Sequence, residues 1–211
     1  MHSASVDIQA FATSLMGPDF HIEIVPFQTR SRDPFEKKTK NRFDLRTSLY
    51  NFLKDKKNFV FEDALDLRNV PQKIGVPGKD HYSSLSHTDE IGVFVLDSAP
   101  VGVDYENRDR IQQKIVERVC TPDELKLSPN FQLLWSIKEA SFKAIPFIVQ
   151  PKAITDLCVK TVSTATSSPI NGYDVTQFSA VDTKSPTTHI QGVCISNASV
   201  QLAIAKASVT A

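Results

Sequence analysis

The sequence predicts an α+β protein made of two similar units, each a helix set against a small antiparallel sheet, joined near Pro100. Three observations carry this. Short alternating runs, such as His21-Ile22-Glu23-Ile24-Val25, have the two-residue period of strands. Between them lie stretches with the 3.6-residue period of amphipathic helices. After Pro151 the composition turns to Thr, Val, Ser and Ile broken by Gly and Pro, which reads as antiparallel sheet. The units are residues 1–99 and 100–211.

In chain order, Val6 to Leu15 reads as a short helix closed by Gly17-Pro18, and His21 to Val25 as a strand stopped by Pro26. Arg30 and Arg32 fall in a loop. Pro34 to Lys57 turns helical on Phe35, Leu45, Leu49, Phe52 and Leu53, with Lys37, Lys38, Lys40, Arg42 and Arg46 at other positions. Such a basic run is ordinarily a solvated helix face. Asn58 to Phe61 reads as a strand and Arg68 to Lys79 as a loop rich in turn formers. Tyr82 to Leu85 is expected to deliver Ser86 and His87 into a loop. The strands Ile91–Leu96 and Val101–Asp104 then continue a meander that brings Ser86-His87 close to Asp104 and Glu106. Arg108 to Val119 reads as one helix. Thr121-Pro122-Asp123-Glu124 carries a capping-box pattern, which by itself accounts for Glu124. Asn130 to Ala144 is a helix stopped by Pro146. The strands Ile154–Val162, Tyr173–Val181, His189–Ser196 and Ser199–Ala207 complete the chain.

Bulk properties narrow the function. Lys+Arg and Asp+Glu both number 24, and that balance argues against a nucleic-acid or general polyanion binder. Cys120, Cys158 and Cys194 are odd in number and far apart, so no zinc site or disulfide framework is indicated and reduced, cytoplasmic thiols are expected. The N-terminus lacks a signal-peptide pattern, and no apolar run is long enough to span a membrane.

Two segments carry the chemistry. In Gly102-Val103-Asp104-Tyr105-Glu106 the acids are two apart, so a strand points both to one face and Tyr105 to the other. In Trp135-Ser136-Ile137-Lys138-Glu139-Ala140-Ser141-Phe142-Lys143 a helix places Glu139 and Lys143 on one face. Each has a plain reading, an edge strand's polar face and a surface pair worth about 0.3–0.5 kcal/mol. Lys138, however, falls inside the apolar stripe of Phe131, Leu134, Trp135, Phe142 and Ile145, where a charge needs a partner. Converging carboxylates with a lysine beside them suit a hard divalent cation holding a phosphate.

Taken together, these segments resemble the 4′-phosphopantetheinyl transferase superfamily, which carries a G-[VI]-D-x-E segment followed by W-x-x-K-E-[AS]-x-x-K. Leu85-Ser86-His87 is similar to its Ser-His element. The length resembles the larger, pseudo-dimeric surfactin-synthetase-activating type, with two subdomains related by a pseudo-two-fold and the active site in the cleft between them. The resemblance implies transfer of 4′-phosphopantetheine from coenzyme A to a serine of an acyl, peptidyl or polyketide carrier protein, as in holo-acyl-carrier-protein synthase activity. Adenosine 3′,5′-bisphosphate leaves. It further implies Mg²⁺ held by Asp104, Glu106 and Glu139, with Glu124, twenty positions beyond Asp104, as an outer acid. Glu139 or a water on the metal takes the serine proton. Lys143 and His87 contact the phosphates, Ser86 lies beside them, and Lys138 anchors the acids or supports the proton transfer. Arg46, then Arg42 and Lys38, are candidates for the 3′-phosphate. The superfamily's Gly-Lys-Pro element is absent; Gly78-Lys79-Asp80 is close in composition, and Lys73 competes with Lys79 for that role. A cytoplasmic monomer follows if the two units already form the cleft. Two other readings compete: a non-catalytic relative that binds coenzyme A or a carrier protein, and a Mg²⁺-dependent phosphohydrolase.

Overall fold

The computed structural model describes residues 2–28, 33–57, 73–76, 79–166, 170–185 and 187–209. The fold is α+β, with two antiparallel sheets and several helices. Helix α1 (His2–Met16) leads into β1 (His21–Pro26) and α2 (Pro34–Lys57), followed by β2 (Lys73–Val76), β3 (Lys79–His87) and β4 (Ile91–Asp97). The first sheet has the order β1-β4-β3-β2. Then come β5 (Val101–Asn107), α3 (Gln113–Val119), α4 (Pro122–Leu127), α5 (Phe131–Ala144), β6 (Leu157–Thr164), β7 (Asp174–Asp182), β8 (Thr188–Ser196) and β9 (Val200–Val209). The second sheet has the order β5-β9-β8-β7-β6.

Period-two alternation decides what each face buries. On β4, Val93 and Val95 enter a core shared with Val101, Val103 and Tyr105 of β5 and with Val193, Ile195 and Ile204 of the second sheet. Phe94 and Leu96 point the other way, against Leu45, Leu49 and Leu53 of α2. The far face of the second sheet packs Phe178, Ile190 and Ala205 on Ile137 and Ala140 of α5. The layers therefore run α2, first sheet, second sheet, α5.

The expected meander stops at β4. Strand β5 leaves it and pairs antiparallel with β9, Asp104 opposite Ala203. The intervening turn is held at Asp97, whose carboxylate accepts from Ala99 N at 2.9 Å and meets Lys206 Nζ of β9 at 2.5 Å. Strand β5 thus lies at a sheet edge, yet it is buried. Its outward N–H groups are taken by serine hydroxyls of β3: Val103 N donates to Ser84 Oγ at 3.1 Å and Tyr105 N to Ser86 Oγ at 3.0 Å. Side chains, rather than a backbone ladder, join the two sheets here.

Other expectations are corrected. Strand β3 runs on through Ser86 and His87, so these are strand residues and not loop residues. The expected helix from Arg108 splits into a 3₁₀ turn, Arg108–Arg110, and α3, because Ile111 adopts extended backbone to bury its side chain against Val116 and Leu134. Ile154–Asp156 is a 3₁₀ turn before β6. Lys73 and Lys79 belong to paired strands β2 and β3 rather than a loop. Arg30, Arg32, the Asn58–Phe61 strand and Gly78 lie outside the described residues.

Ser84 sits off the cavity described below and is fully buried. Ser84→Ala leaves Val103 N–H without an acceptor in a dry place, a loss of about 1–3 kcal/mol. A matching fall in the denaturant midpoint is expected, and an unchanged midpoint would show that the joint contributes nothing.

Candidate active site

The site is built where α5 lies on β5. Alternation along β5 sends Val101, Val103 and Tyr105 into the core between the sheets and leaves Gly102, Asp104 and Glu106 on the other face. A side chain at Gly102 would place its Cβ 2.1 Å from Ala140 O and 2.4 Å from Ala144 N. Only glycine lets the helix backbone rest on the strand, and the small Ala140 and Ala144 complete that contact. Asn130 caps α5 by accepting from Leu133 N at 3.1 Å, and the helix ends before Pro146.

This close approach gathers the charged side chains. Lys143 Nζ donates to Asp104 Oδ1 at 2.9 Å and lies 3.9 Å from Glu139 Oε2. Asp104 is 2% exposed. Its Oδ2 accepts from Ser136 Oγ at 2.8 Å, and its Oδ1 faces Ser86 Oγ at 3.3 Å. Behind Ser136, Gln201 Nε2 donates to Ser136 Oγ at 2.8 Å and to Gln132 O at 2.6 Å.

A cavity of about 580 Å³ opens over these groups. Asp104, Glu106, Glu139, Lys143 and Trp135 line one side with Arg110. Ser86 and His87 of β3, Asp89 just after it, and Lys38, Arg42 and Arg46 of α2 line the other. Burial, with the nearby Asp104 charge, pushes Glu106 up to about 7. Burial also raises Glu139, against the pull of Lys143. Burial opposes the charge on Lys143, but Asp104 and Glu139 more than offset this and its pKa is raised. His87 is lowered by burial and by Arg42, Lys38 and Lys143, against a backbone hydrogen bond to Thr88. Its Nε2 accepts from Arg42 Nε at 3.3 Å while Nδ1 faces Thr88 O at 3.2 Å, the pattern of a neutral ring protonated on Nδ1.

Two sequence candidates stand apart from this cavity. Glu124 and Lys138, each 1% exposed at the side chain, pair with one another at 3.0 Å. Glu124 also accepts from Thr121 N at 2.7 Å and Val159 N at 2.8 Å, and Lys138 Nζ donates to Val119 O and to Leu157 O at 2.8 Å. The capping-box role of Glu124 is therefore realised, and three N–H donors meet its carboxylate away from the cavity. Lys138 resolves its place in the apolar stripe by burying its charge on that partner, five residues and about 140° around the helix from Lys143. Arg110, Ser136 and Gln201 were missed by sequence reasoning. Ser136 lies inside the tryptophan–lysine segment, where its hydroxyl was a signal; Gln201, on β9, gave none.

Among the described residues, no three His, Cys, Asp or Glu side chains form a ready-made metal cage. The donor chemistry nonetheless fits a magnesium-like ion. Asp104, Glu106 and Glu139 offer oxygen only, and the charge of Asp104 disfavours that of Glu106. Mg²⁺ commonly takes one or two carboxylates and completes its shell with waters and substrate phosphates.

Acids thus crowd one side of the cavity beside Lys143 and Arg110, and Lys38, Arg42 and Arg46 of α2 face them. Residues 100–202 match the family model of the 4′-phosphopantetheinyl transferase superfamily, and this match supports that superfamily for the chain. Comparison with curated proteins gives no match. No helix among the described residues is long and apolar enough to cross a membrane.

Glu124→Gln leaves Lys138 buried with a neutral partner, a loss of about 3 kcal/mol or more. Equilibrium unfolding is expected to show that loss while the folded variant keeps the Mn²⁺ affinity of the parent. Weakened Mn²⁺ binding at unchanged stability would return Glu124 to the cation site.

Proposed function

We propose that the cavity binds coenzyme A and that the protein transfers 4′-phosphopantetheine to a serine of an apo carrier protein. Adenosine 3′,5′-bisphosphate is released. The observation that carries this reading is the gathering of Asp104, Glu106, Glu139 and Lys143 opposite the basic flank of α2 in one cavity. Residues 1–99 and 100–211 act as two units of the larger, pseudo-dimeric type, with the cavity as the cleft between them. The chain works as a monomer in the cytoplasm.

The serine oxygen attacks the β-phosphorus, the bond from that phosphorus to the bridging oxygen breaks, and the bridging oxygen leaves with adenosine 3′,5′-bisphosphate. Positioning and charge neutralisation dominate such a step. Glu139, on the cavity wall beside Lys143, accepts the serine proton. Lys143, held by Asp104 and Glu139, donates to the pyrophosphate oxygens and steadies the leaving one. Lys38, Arg42 and Arg46 hold the 3′-phosphate, with Lys73 or Lys79 as a further contact. Neutral His87 keeps Arg42 in place and offers Nδ1–H toward phosphate if Thr88 O releases it. Asp104, Glu106 and Glu139 would hold Mg²⁺, which would supply positive charge to offset the pyrophosphate.

Incubation with Mg²⁺, coenzyme A and an apo-acyl carrier protein is expected to add about 340 Da to the carrier serine, read by intact mass. Asp104→Asn and Glu139→Gln are expected to lower kcat/KM by a factor of about a hundred or more while the proteins stay folded. Phosphate release without a carrier would instead favour a phosphohydrolase, and near-parent turnover by either variant would remove the assignment of these acids.

A further inference from the structure

Ser136 is fully buried within α5. A serine in a helix interior commonly turns its hydroxyl back to the carbonyl four residues earlier, which here is Gln132 O. That carbonyl already accepts from Gln201 Nε2 at 2.6 Å. Because a carbonyl oxygen only accepts, the end of the Gln201 amide facing it is the NH₂ group, and this fixes the amide's orientation. The same nitrogen lies 2.8 Å from Ser136 Oγ. Ser136 oxygen thus accepts from Gln201, and its single proton is left for Asp104 Oδ2 at 2.8 Å. Gln201 is itself set by the sheet, since it stands opposite Glu106 in the β5–β9 register and is fully buried.

We propose that Gln201 and Ser136 are positioning residues for Asp104: Gln201 directs the serine proton, and Ser136 fixes the carboxylate plane so that Oδ1 faces Lys143 and the cavity. The proposal rests on the reading of Asp104 as an acid of the cation and phosphate site. Removing Gln201 frees Gln132 O, the hydroxyl swings to it, and Asp104 loses the same hydrogen bond that Ser136→Ala deletes.

The test measures Mn²⁺ binding to the full chain with coenzyme A by calorimetry, for Ser136→Ala, Gln201→Met and the double variant, with thermal midpoints alongside. Each single change is expected to raise the Mn²⁺ Kd about ten-fold, the size usual for losing a group that orients a metal ligand. The double variant is expected to be no weaker than the worse single one, because both act on one proton. In steady state kcat is expected to fall more than KM rises, and Ser136→Thr is expected to restore part of the Mn²⁺ affinity. Parent-like Kd values in folded variants, or losses that add in full, would overturn the proposal even where Asp104→Asn is inactive. Failure of the parent protein to bind Mn²⁺ would overturn the reading of the cavity, and this proposal with it.

Discussion

Two hydroxyls of β3 hold the site together, because they let a buried sheet edge exist beside it. Strand β5 pairs with β9 on one side only. A buried edge strand leaves every second N–H without a partner, at about 1–3 kcal/mol each. Ser84 and Ser86 share the two-residue period of that edge, so their hydroxyls meet Val103 N and Tyr105 N in register. Ser86 then turns its own proton toward Asp104 Oδ1, at 3.3 Å, or Tyr105 O, at 3.5 Å. The bond that joins the sheets is therefore one step from the acid of the site, and slippage of one sheet on the other would be felt at Asp104.

That position sets up an electrostatic imbalance. Three carboxylates line one wall, and Lys143 touches two of them; the cost appears in the raised values of Glu106 and Glu139, where burial leads and Asp104 adds to it. Across the cavity the sign reverses, with Lys38, Arg42 and Arg46 on α2. His87 remains neutral and accepts from Arg42, tying the basic helix to the end of β3. A cavity that gathers three carboxylates against Lys38, Arg42 and Arg46 suits a ligand that carries both a cation and spare phosphate oxygens.

The sequence shows α5 and the faces of β5 clearly, since both follow from local periodicity. Asp104 and Glu106 share a face, Tyr105 turns into the core, and Asn130 and Pro146 bound the helix as their chemistry dictates. Gly102 is legible as a motif position, while its reason, a helix backbone against the strand, appears only in three dimensions. The departure of β5 to pair with β9 is hidden for the same reason, because it depends on partners a hundred residues away. Ile111 breaks a locally helical run by gaining burial against Leu134, a tertiary term that outweighs propensity. Gln201 alternates with the apolar Val200, Leu202 and Ile204, so the strand pattern alone reads it as an ordinary polar position, and only the packing of α5 on β9 buries it.

The two lysines of the Trp135–Lys143 segment show why a motif does not give roles by spacing alone. Lys138 and Lys143 sit on one helix, and both oppose carboxylates at similar range, 3.0 Å and 2.9 Å. The geometry separates them. Lys138 faces α4 and β6, where Glu124 and two backbone carbonyls saturate its donors in a site closed to solvent. Lys143 faces β5 and remains 23% exposed, so an ammonium held by Asp104 still has donors turned toward the cavity. Saturation makes the first lysine a fastener that locks α5 to its neighbours. Incomplete saturation makes the second a group with binding capacity left for a ligand. The fastener serves the site through the helix: a residue that fixes the rotation of α5 also fixes where Glu139 and Lys143 point.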